Sequence, residues 1–456
     1  MKQRIKLLFA CSCVAAWSAG SLAQSFTWYA STEGNTWKTS TVKMSKKAAD
    51  AHVTVEENAA PIVEFKAWGA TFNELDWDAL GMLTRDEQDE ILKNVFSPEG
   101  DLRISRGRIS MNANDYARSW YSCDEVAGDL ELRYFNIDRD KQSIIPFIRA
   151  AQKYNPELTF WTSPWCPPSW MKITGDYPVL SSKFNHMPEK MNYILYGNVN
   201  DKVDPDEMKL VGRRGDKFPR QLATTDYFIQ DPRYLQAYAN YFCKFIDAYK
   251  EQGVNIDMVI YQNEAYSYTP YPGCAWTAEG TVRFNRDYLG PTLRQKHPEV
   301  KLYLGTFNTN RVDYVQKIAS DTKLQEYVSG MAFQWEGRES LPVLRKEHPE
   351  WNYMCSESEC GRGNFDWGAG EHTFELMNHY LGNGCNEYTF WNFILADNGE
   401  SPWGWKQNAL IRVDSKARTF TYTPEYFAVK HYSHFITKGD RKSTRLNSSH
   451  DKLSRM

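Results

Sequence analysis

The sequence predicts an α/β fold, a (β/α)8 barrel with a smaller β-rich part. Short segments rich in β-branched and aromatic residues alternate with longer amphipathic segments from about residue 62 to residue 410. Eight strand–helix units favour a closed barrel over an open doubly wound sheet. An open sheet would usually carry a glycine-rich phosphate turn after its first strand, and the sequence has no such turn. The predicted strands are 63–71, 104–110, 158–165, 258–264, 302–307, 331–336, 353–359 and 387–393.

The clearest helix of the pattern follows Asp231-Pro232, a good N-cap with proline at the first helical position. Gly253 fits the C-terminal cap of this helix. Its apolar stripe consists of Leu235, Tyr238, Phe242, Phe245, Ile246 and Tyr249.

One connection is unusually long. Residues 173–230 form a polar stretch interrupted by proline and glycine after the third strand. Long loops inside a compact fold are often functional, and this one would lie at the carboxyl ends of the strands. We therefore predict that it forms a wall of the substrate cleft.

Composition excludes several classes of function. The net charge of the 456 residues is -3, without a basic block that would bind nucleic acid or an anionic membrane surface. The 16 Trp and 27 Tyr serve a large core, and they also offer flat faces on which sugar rings can stack. Composition alone favours the core.

The two ends of the chain differ from the barrel pattern. Residues 1–23 have a basic start, an apolar stretch and a small-x-small site, which predicts a signal peptide and a secreted or periplasmic protein without an integral membrane segment in the mature chain. Residues 24–61 are predicted to contribute to a β side domain, and 62–415 to form the barrel. We expect residues 416–441 to begin an incomplete C-terminal β-sandwich and 442–456 to be a non-native tail.

Cysteine and histidine usage argues against metal chemistry. Seven cysteines follow the predicted signal, sparse and odd in number, so a disulfide scaffold is not expected, although one disulfide is possible. The sequence has no paired C-x-x-C motif and no His/Asp cluster typical of a metal-dependent hydrolase. We predict neither a metal nor a cofactor.

Two glutamates lie where a barrel carries its catalytic groups, at the carboxyl ends of strands. Glu264 ends the fourth predicted strand, and Glu357 lies on the seventh, roughly opposite. Retaining glycoside hydrolysis needs one carboxyl group to protonate the departing oxygen and another, about 5–5.5 Å away, to attack the anomeric carbon. We predict Glu264 as the general acid/base and Glu357 as the nucleophile, with Arg108 keeping Glu357 ionised and Asn263 binding the sugar 2-OH.

Other interpretations of these residues are open. A single glutamate at a strand end is more often a salt-bridge partner, and Trp165 and Trp391 could simply pack the end of the barrel. Glu359 lies two residues after Glu357 on the same predicted strand, so both side chains would point to one face. Glu359 is therefore the alternative nucleophile. The predicted substrate-binding residues are Arg108, Asp115, Trp165, Asn263, Gln334, Trp335 and Trp391.

The segment 162–172, TSPWCPPSWMK, resembles the SPW-x-x-P-x-W-[ML]-K signature of glycoside hydrolase family 30, which includes glucosylceramidases. Further similar segments follow in order over residues 60–436: 108–116, 262–264, 271–274, 289–291, 356–361 and 391–392. The resemblance implies the same roles for Glu264 and Glu357, the latter preferred over Glu359 because of the adjoining Ser356 and the later Cys-Gly pair. It also implies that the N-terminal segment joins a C-terminal β-module. It places Asp115, Trp165, Asn263 and Trp391 in the −1 subsite, with Arg108 steadying the nucleophile.

Four departures from the family pattern bear on the sugar and its leaving group. Ala265 replaces a proline, Gln334 stands where glucosylceramidases tend to have histidine, Glu336 replaces an expected aromatic residue, and Ala396 occupies an often polar position.

The predicted function is retaining hydrolysis of β-glucosidic linkages. Glucosylceramide, β-1,6-glucan and β-glucosides are the candidate substrates, and β-xylosides or β-galactans are the alternative for the same chemistry. A secreted carbohydrate-binding protein without activity is the second class of function, although both glutamates argue against it. The expected partner is a carbohydrate.

Overall fold

The structure, a computed structural model, describes residues 8–10, 25–43, 63–187, 226–266 and 269–440. An N-terminal antiparallel sheet has the order β1-β2-β3. Its strands are β1 (Leu8–Ala10), β2 (Ser25–Thr32) and β3 (Asn35–Lys43). The barrel strands are β4 (Ala67–Phe72), β5 (Arg106–Met111), β6 (Thr159–Pro164), β7 (Ile256–Ile260), β8 (Lys301–Phe307), β9 (Val328–Gln334), β10 (Asn352–Glu357) and β11 (Glu387–Phe390).

These eight strands close into a parallel barrel, in which β11 pairs with β4. Every predicted strand overlaps an observed one, so the predicted fold class is confirmed. Each strand is parallel to both of its neighbours, so all eight strands run in the same direction. Their carboxyl ends therefore meet at one end of the barrel.

Helices between the strands cover the outside of the barrel. They are α1 (Glu74–Gly81), α2 (Arg85–Phe96), α3 (Ile144–Gln152), α4 (Pro232–Glu251), α5 (Ala278–Phe284), α6 (Gly290–Lys296), α7 (Val312–Ala319), α8 (Thr322–Gln325), α9 (Leu341–Glu347), α10 (Trp367–Gly382) and α11 (Pro424–Ser433).

The helix predicted after Asp231 is α4. The Asp231 side chain accepts a hydrogen bond from the Arg233 backbone N–H, as an N-cap should. Gly253, two residues beyond the helix, has a φ of 74°, the left-handed conformation that ends helices and that glycine adopts without steric cost. The predicted apolar stripe from Leu235 to Tyr249 is buried.

The amino ends of the strands are closed by an ionic cluster. Arg106 at the start of β5 bonds Asp257 at 2.5 Å and Glu387 at 3.0 Å, which joins β5 to β7 and β11. Above this cluster, apolar side chains fill the barrel interior, among them Trp161, Met258 and Tyr303. The interior is therefore a packed core, and the predicted catalytic groups lie at its carboxyl end.

The C-terminal part differs from its strand-like pattern. Residues 411–414 and 419–422 form an antiparallel pair, β13 and β14, next to the short β12 (Ile394–Ala396). Within residues 416–441, which are expected to begin a β-sandwich, β14 is followed by helix α11. Thr423 caps this helix through its side chain and Pro424 occupies its first turn, so the local signals favour a helix over a further strand.

The N-terminal sheet packs against α11. Trp37 lies 5.0 Å from the His431 ring and Ser31 Oγ lies 2.7 Å from His431 Nε2. Most of the predicted signal peptide, residues 44–62 and the tail 442–456 lie outside the described residues, although Leu8–Ala10 of the signal segment forms β1.

The long connection after β6 is described at both ends, residues 173–187 and 226–230, and its middle lies outside the described residues. Its first part packs against the loop after β7, where Val179 and Leu180 N–H groups donate to the Thr269 carbonyl. The seven cysteines from Cys123 to Cys385 are buried free thiols, so within the described part of the chain the disulfide that the sequence allowed is not formed.

Candidate active site

Glu264 lies at the carboxyl end of the barrel, four residues beyond β7. Its backbone φ is 47°, a left-handed conformation that is costly for a residue with a side chain and is retained where surrounding contacts fix it. The Glu264 N–H donates to Thr306 Oγ1 at 3.0 Å, and the Asn263 N–H donates to the Pro164 carbonyl at 2.7 Å. The neighbouring strands β6 and β8 thus hold the backbone that carries Glu264.

Glu357, the last residue of β10, is 5% exposed and paired with a buried arginine. Arg108 Nη1 lies 2.6 Å from Glu357 Oε2, and Arg108 Nη2 donates to Asn263 Oδ1 at 2.7 Å and to Ser163 Oγ at 3.1 Å. The Trp335 indole N–H donates to the other carboxylate oxygen of Glu357 at 3.2 Å. Both oxygens of Glu357 therefore have a fixed donor.

Arg108 is enclosed by aromatic rings. Its guanidinium carbon lies 4.7 Å from the Trp161 ring centroid, 4.3 Å from Trp165 and 5.5 Å from Trp391. The guanidinium is planar and weakly hydrated, so it tolerates such a setting better than an ammonium does. Burial lowers the pKa of Arg108, and Glu357 opposes that shift.

Carboxylate burial shapes the protonation of the site. Burial raises the pKa of Glu357, while the charge and hydrogen bond of Arg108 and the bond from Trp335 lower it. Burial and then the negative charge of Glu357 raise the pKa of Asp115 well above its usual range. Arg108 therefore favours ionisation of Glu357 over Asp115, because it bonds Glu357 directly.

Gln334 contacts both glutamates: it hydrogen-bonds the Glu264 carboxylate, and its hydrogen bond to Glu357 lowers the pKa of that carboxyl group. It is the last residue of β9 and lies in register with Glu357. Its amide Nε2 donates to Glu264 Oε1 at 3.0 Å and approaches Asn263 Oδ1 at 3.3 Å, and its Oε1 accepts from Ser356 Oγ at 2.8 Å.

Aromatic side chains form one side of the site. Trp165 and Trp391 are stacked with ring centroids 4.9 Å apart, and Tyr116 meets the Trp391 ring edge-on at 6.2 Å. Next to them is a small recess whose lining combines a carboxyl group with aromatic side chains, as sugar-binding sites often do. It is lined by Trp165, Asn263, Glu264, Thr269, Tyr271, Pro272 and Gly273.

Glu359 lies in a different setting from Glu357. Its carboxylate forms an ion pair with Arg338 and a second contact, of 2.8 Å, with His372 Nε2 on α10. The expectation that both glutamates share one face is wrong, because β10 ends at Glu357 and the alternation of a strand no longer applies two residues later.

The structure brings the predicted site residues together around Arg108 and adds others that the sequence analysis did not select. Thr306 on β8 and Ser163 on β6 contact Asn263 and Arg108, and Ser356 contacts Gln334. Thr306 lies near the end of the fifth barrel strand. The search for polar residues at the carboxyl ends of predicted strands could therefore have found it. Trp161 gave no such signal, because it lies mid-strand below the site.

Two of the departures noted in the sequence lie beside this site. Ala265 is buried, and its carbonyl accepts from the Trp276 N–H at 3.1 Å. Gln334 occupies the bridging position just described. Ala396 ends β12 and packs against the main core, away from the two glutamates' direct contacts.

Within the described residues there is no group of three or more His, Cys, Asp or Glu side chains arranged to hold a metal ion. None of the helices in that same part of the chain has the length and apolar character that a membrane crossing requires.

Comparison with known proteins identifies the family. A family model described as the glycosyl hydrolase family 30 TIM-barrel domain matches residues 65–183 and 228–436. The chain belongs to this family. The match covers every barrel strand and both glutamates, and it omits part of the long connection after β6.

Two relatives and one solved structure illustrate the similarity. Putative glucosylceramidase 1 of Caenorhabditis elegans is 26% identical over 85% of this chain and 69% of its own length. An endo-1,6-beta-D-glucanase of Neurospora crassa is 23% identical over 82% of this chain and 70% of its own. The solved structure of an endo-beta1,6-glucanase has a TM-score of 0.69 and 22% identity, covering 89% of this chain and 82% of that one, which supports the shared fold.

Proposed function

We propose that this glycoside hydrolase cleaves β-glucosidic linkages with retention, using Glu357 as the nucleophile and Glu264 as the general acid/base. The observation that carries the proposal is the 2.6 Å contact between Glu357 and Arg108. Arg108 also donates to Asn263, the residue before Glu264, so one arginine links the two glutamate-bearing segments. Two glutamates on different strands, held by one network at the open end of a barrel, are the groups that a double displacement requires.

The contacts fit the two half-reactions. In the first, the Glu357 carboxylate forms a bond to the anomeric carbon while the glycosidic C–O bond breaks, and Glu264 transfers its proton to the departing oxygen. In the second, Glu264 takes a proton from water, whose oxygen attacks the anomeric carbon and releases Glu357. Asn263 Oδ1 faces Arg108, Thr306 and Gln334, so its NH₂ group is available as the donor to the sugar 2-OH.

The relatives favour a β-linked glucose at the cleaved position. Their names refer to glucosylceramidase and to endo-1,6-beta-D-glucanase, and the two activities share that sugar while their leaving groups differ. We propose β-1,6-glucan or a β-glucoside as the substrate, and we expect lower activity on β-xylosides and β-galactosides.

Labelling with a 2-fluoro β-glucoside that has an activated leaving group tests the nucleophile. The fluorine slows breakdown of the glycosyl-enzyme, so the label should accumulate on Glu357 and be found there by peptide mapping. Glu359→Gln serves as the control, because Glu359 pairs with Arg338 and His372 and the variant should still be labelled. A label on Glu359 would overturn the assignment, and no label with glucoside, xyloside and galactoside probes would favour a binding protein without activity.

Truncation of the acid tests the second glutamate. Glu264→Ala should lower kcat/KM by about 10²- to 10⁴-fold for a β-1,6-linked glucose disaccharide, and far less for a dinitrophenyl glucoside, whose leaving group needs no proton. Azide should restore turnover of the activated substrate as a β-glucosyl azide. Equal losses on both substrates would contradict an acid role.

We also propose export of the protein through its N-terminal segment. The basic start, the apolar stretch and the small-x-small site of residues 1–23 support this proposal. N-terminal sequencing of the protein secreted by a bacterial host should begin near Gln24. A protein that retains Met1 and stays in the cytoplasm would contradict it.

A further inference from the structure

Gln334 has no exposed surface and lies between the two carboxylates at the end of β9. A side chain buried in this way does not reach a substrate without displacing its neighbours. Its influence on the reaction therefore has to pass through the groups that it contacts.

The orientation of the Gln334 amide follows from its neighbours. A guanidinium only donates, so the Asn263 atom 2.7 Å from Arg108 Nη2 is the carbonyl oxygen Oδ1. That same oxygen faces the Gln334 amide at 3.3 Å, so the Gln334 group there is NH₂. The opposite end, Oε1, accepts from the Ser356 hydroxyl at 2.8 Å. The chain of contacts from Arg108 to Ser356 thus permits one amide orientation.

In this orientation Gln334 always presents a donor to Glu264 Oε1, at 3.0 Å. The carbonyl oxygen of a protonated carboxyl group accepts such a bond better than its hydroxyl oxygen does. The proton of Glu264 is therefore kept on Oε2. Because the Gln334 donor is fixed, whichever oxygen of the Glu264 carboxyl group faces it is the unprotonated one.

We infer that Gln334 is a positioning residue that fixes which oxygen of Glu264 carries the transferred proton. The inference rests on the proposed function of Glu264 as the acid/base. In the first half-reaction the Oε2 proton passes to the glycosidic oxygen as the C–O bond breaks, and in the second the same oxygen receives the proton of the attacking water. Gln334 itself exchanges no proton.

Other charged and titratable groups act on the same carboxyl group and have to be held constant in a test. Arg108 on β5 and Glu357 on β10 are joined to Glu264 through the network around Asn263. Asp115 and Tyr271 also lie close enough for electrostatic interaction with Glu264. The variants that follow leave these four residues unchanged.

Gln334→Met, a substitution of similar size without a donor, tests the inference. It should lower kcat/KM roughly 10- to 100-fold for the β-1,6-linked glucose disaccharide, and less than about 3-fold for the dinitrophenyl glucoside, because only the first needs the proton. Loss of the donated bond also disfavours the ionised form of Glu264, so the alkaline limb of the pH profile of kcat/KM should move to higher pH. Gln334→Glu should move that limb further, because it adds a negative charge.

Two serines of one segment provide a matched pair. Ser356→Ala removes the hydroxyl that holds the carbonyl end of Gln334 and should move the alkaline limb in the same direction by a smaller amount. Ser358→Ala removes a hydroxyl that accepts from the Trp391 backbone N–H instead, and it should leave the alkaline limb in place.

The outcomes separate this inference from the proposed function. Equal loss on both substrates with an unmoved alkaline limb would make Gln334 a merely structural residue, and a shifted limb in Ser358→Ala would also count against the inference. If the 2-fluoro β-glucoside labels Glu357 in the wild type and in Gln334→Met, the proposed function stands, whether or not the alkaline limb of the pH profile moves. If it labels neither, the proposed function itself has failed.

Discussion

Arg108 holds the site together at the scale of single residues. It is fully buried, it contacts Glu357, Asn263 and Ser163, and three tryptophan rings surround it. Removing an opposite charge from a buried pair leaves the partner uncompensated, which typically costs about 3–5 kcal/mol. Arg108 thus contributes both to stability and to the ionisation of Glu357.

Replacement of Arg108 by Met should therefore move the acidic limb of the pH profile to higher pH. Arg108 lowers the pKa of Glu357, so its loss raises that pKa, and ionised Glu357 is then lost at a higher pH as the solution is acidified. The profile of kcat/KM on an activated glucoside measures this. Arg106→Met is the matched control on the same strand, since Arg106 pairs with Asp257 and Glu387 at the opposite end of the barrel. It should lower the Tm and leave the acidic limb unmoved, and an equal shift in both variants would contradict the assignment.

At the scale of elements, the site depends on contacts between strand ends rather than within them. The end of β8 reaches the segment after β7 through Thr306, whose Oγ1 accepts from the Glu264 N–H at 3.0 Å and lies 3.2 Å from Asn263 Oδ1. The left-handed backbone of Glu264 is stabilised in this way. Displacements of about 1 Å at such positions can cost on the order of 10²-fold in rate.

Thr306→Val, which keeps the shape and removes the hydroxyl, should lower kcat/KM by roughly 10- to 100-fold on the β-1,6-linked disaccharide. Thr306→Ser keeps the hydroxyl and should retain most of the activity. The comparison of the two variants at equal folded fraction is the measurement. Activity of Thr306→Val equal to that of Thr306→Ser would show that the hydroxyl does not position Glu264.

On the scale of the whole molecule, the N-terminal sheet and the barrel meet at α11. Trp37 of β3 contacts His431 and lies 4.2 Å from Lys430 Nζ, and Ser31 of β2 bonds His431. Burial, and then the charge of Lys430, lower the pKa of His431 to about 4. The histidine is therefore neutral in the folded protein near neutral pH.

This buried histidine predicts a pH dependence of stability. The unfolded histidine titrates near its ordinary value of about 6.5, so between about pH 6.5 and 4 the unfolded state binds more protons than the folded state. The free energy of unfolding should fall over that range as the pH is lowered. His431→Gln should reduce this slope, measured by thermal unfolding at several pH values, and identical slopes in variant and wild type would contradict the interpretation.

The local sequence determined the barrel and most of its site. The periodicity of apolar residues predicts eight strands that alternate with helices. Because the carboxyl ends of parallel strands lie together in a barrel, the sequence alone assigns Glu264, Glu357 and Arg108 to one site. The helix α4 and its caps follow from Asp231, Pro232 and Gly253, because capping is a property of adjacent residues.

Tertiary structure decided what depends on distant partners. The strand pattern does not separate Glu357 from Glu359, whereas the end of β10 does, because Arg108 contacts Glu357 and Arg338 contacts Glu359. Of residues 416–441, predicted to begin a β-sandwich, Thr419–Tyr422 form β14; Thr423 and Pro424 then start α11 locally, and packing against α10 and the N-terminal sheet buries this helix. Gln334 as a sugar ligand stays a prediction, and what the structure adds is that its buried amide contacts Glu264, Asn263 and Ser356. The hydrogen-bonding partner of a side chain depends on which residues lie next to it in the folded protein. A linear pattern of residue types carries no information about those neighbours.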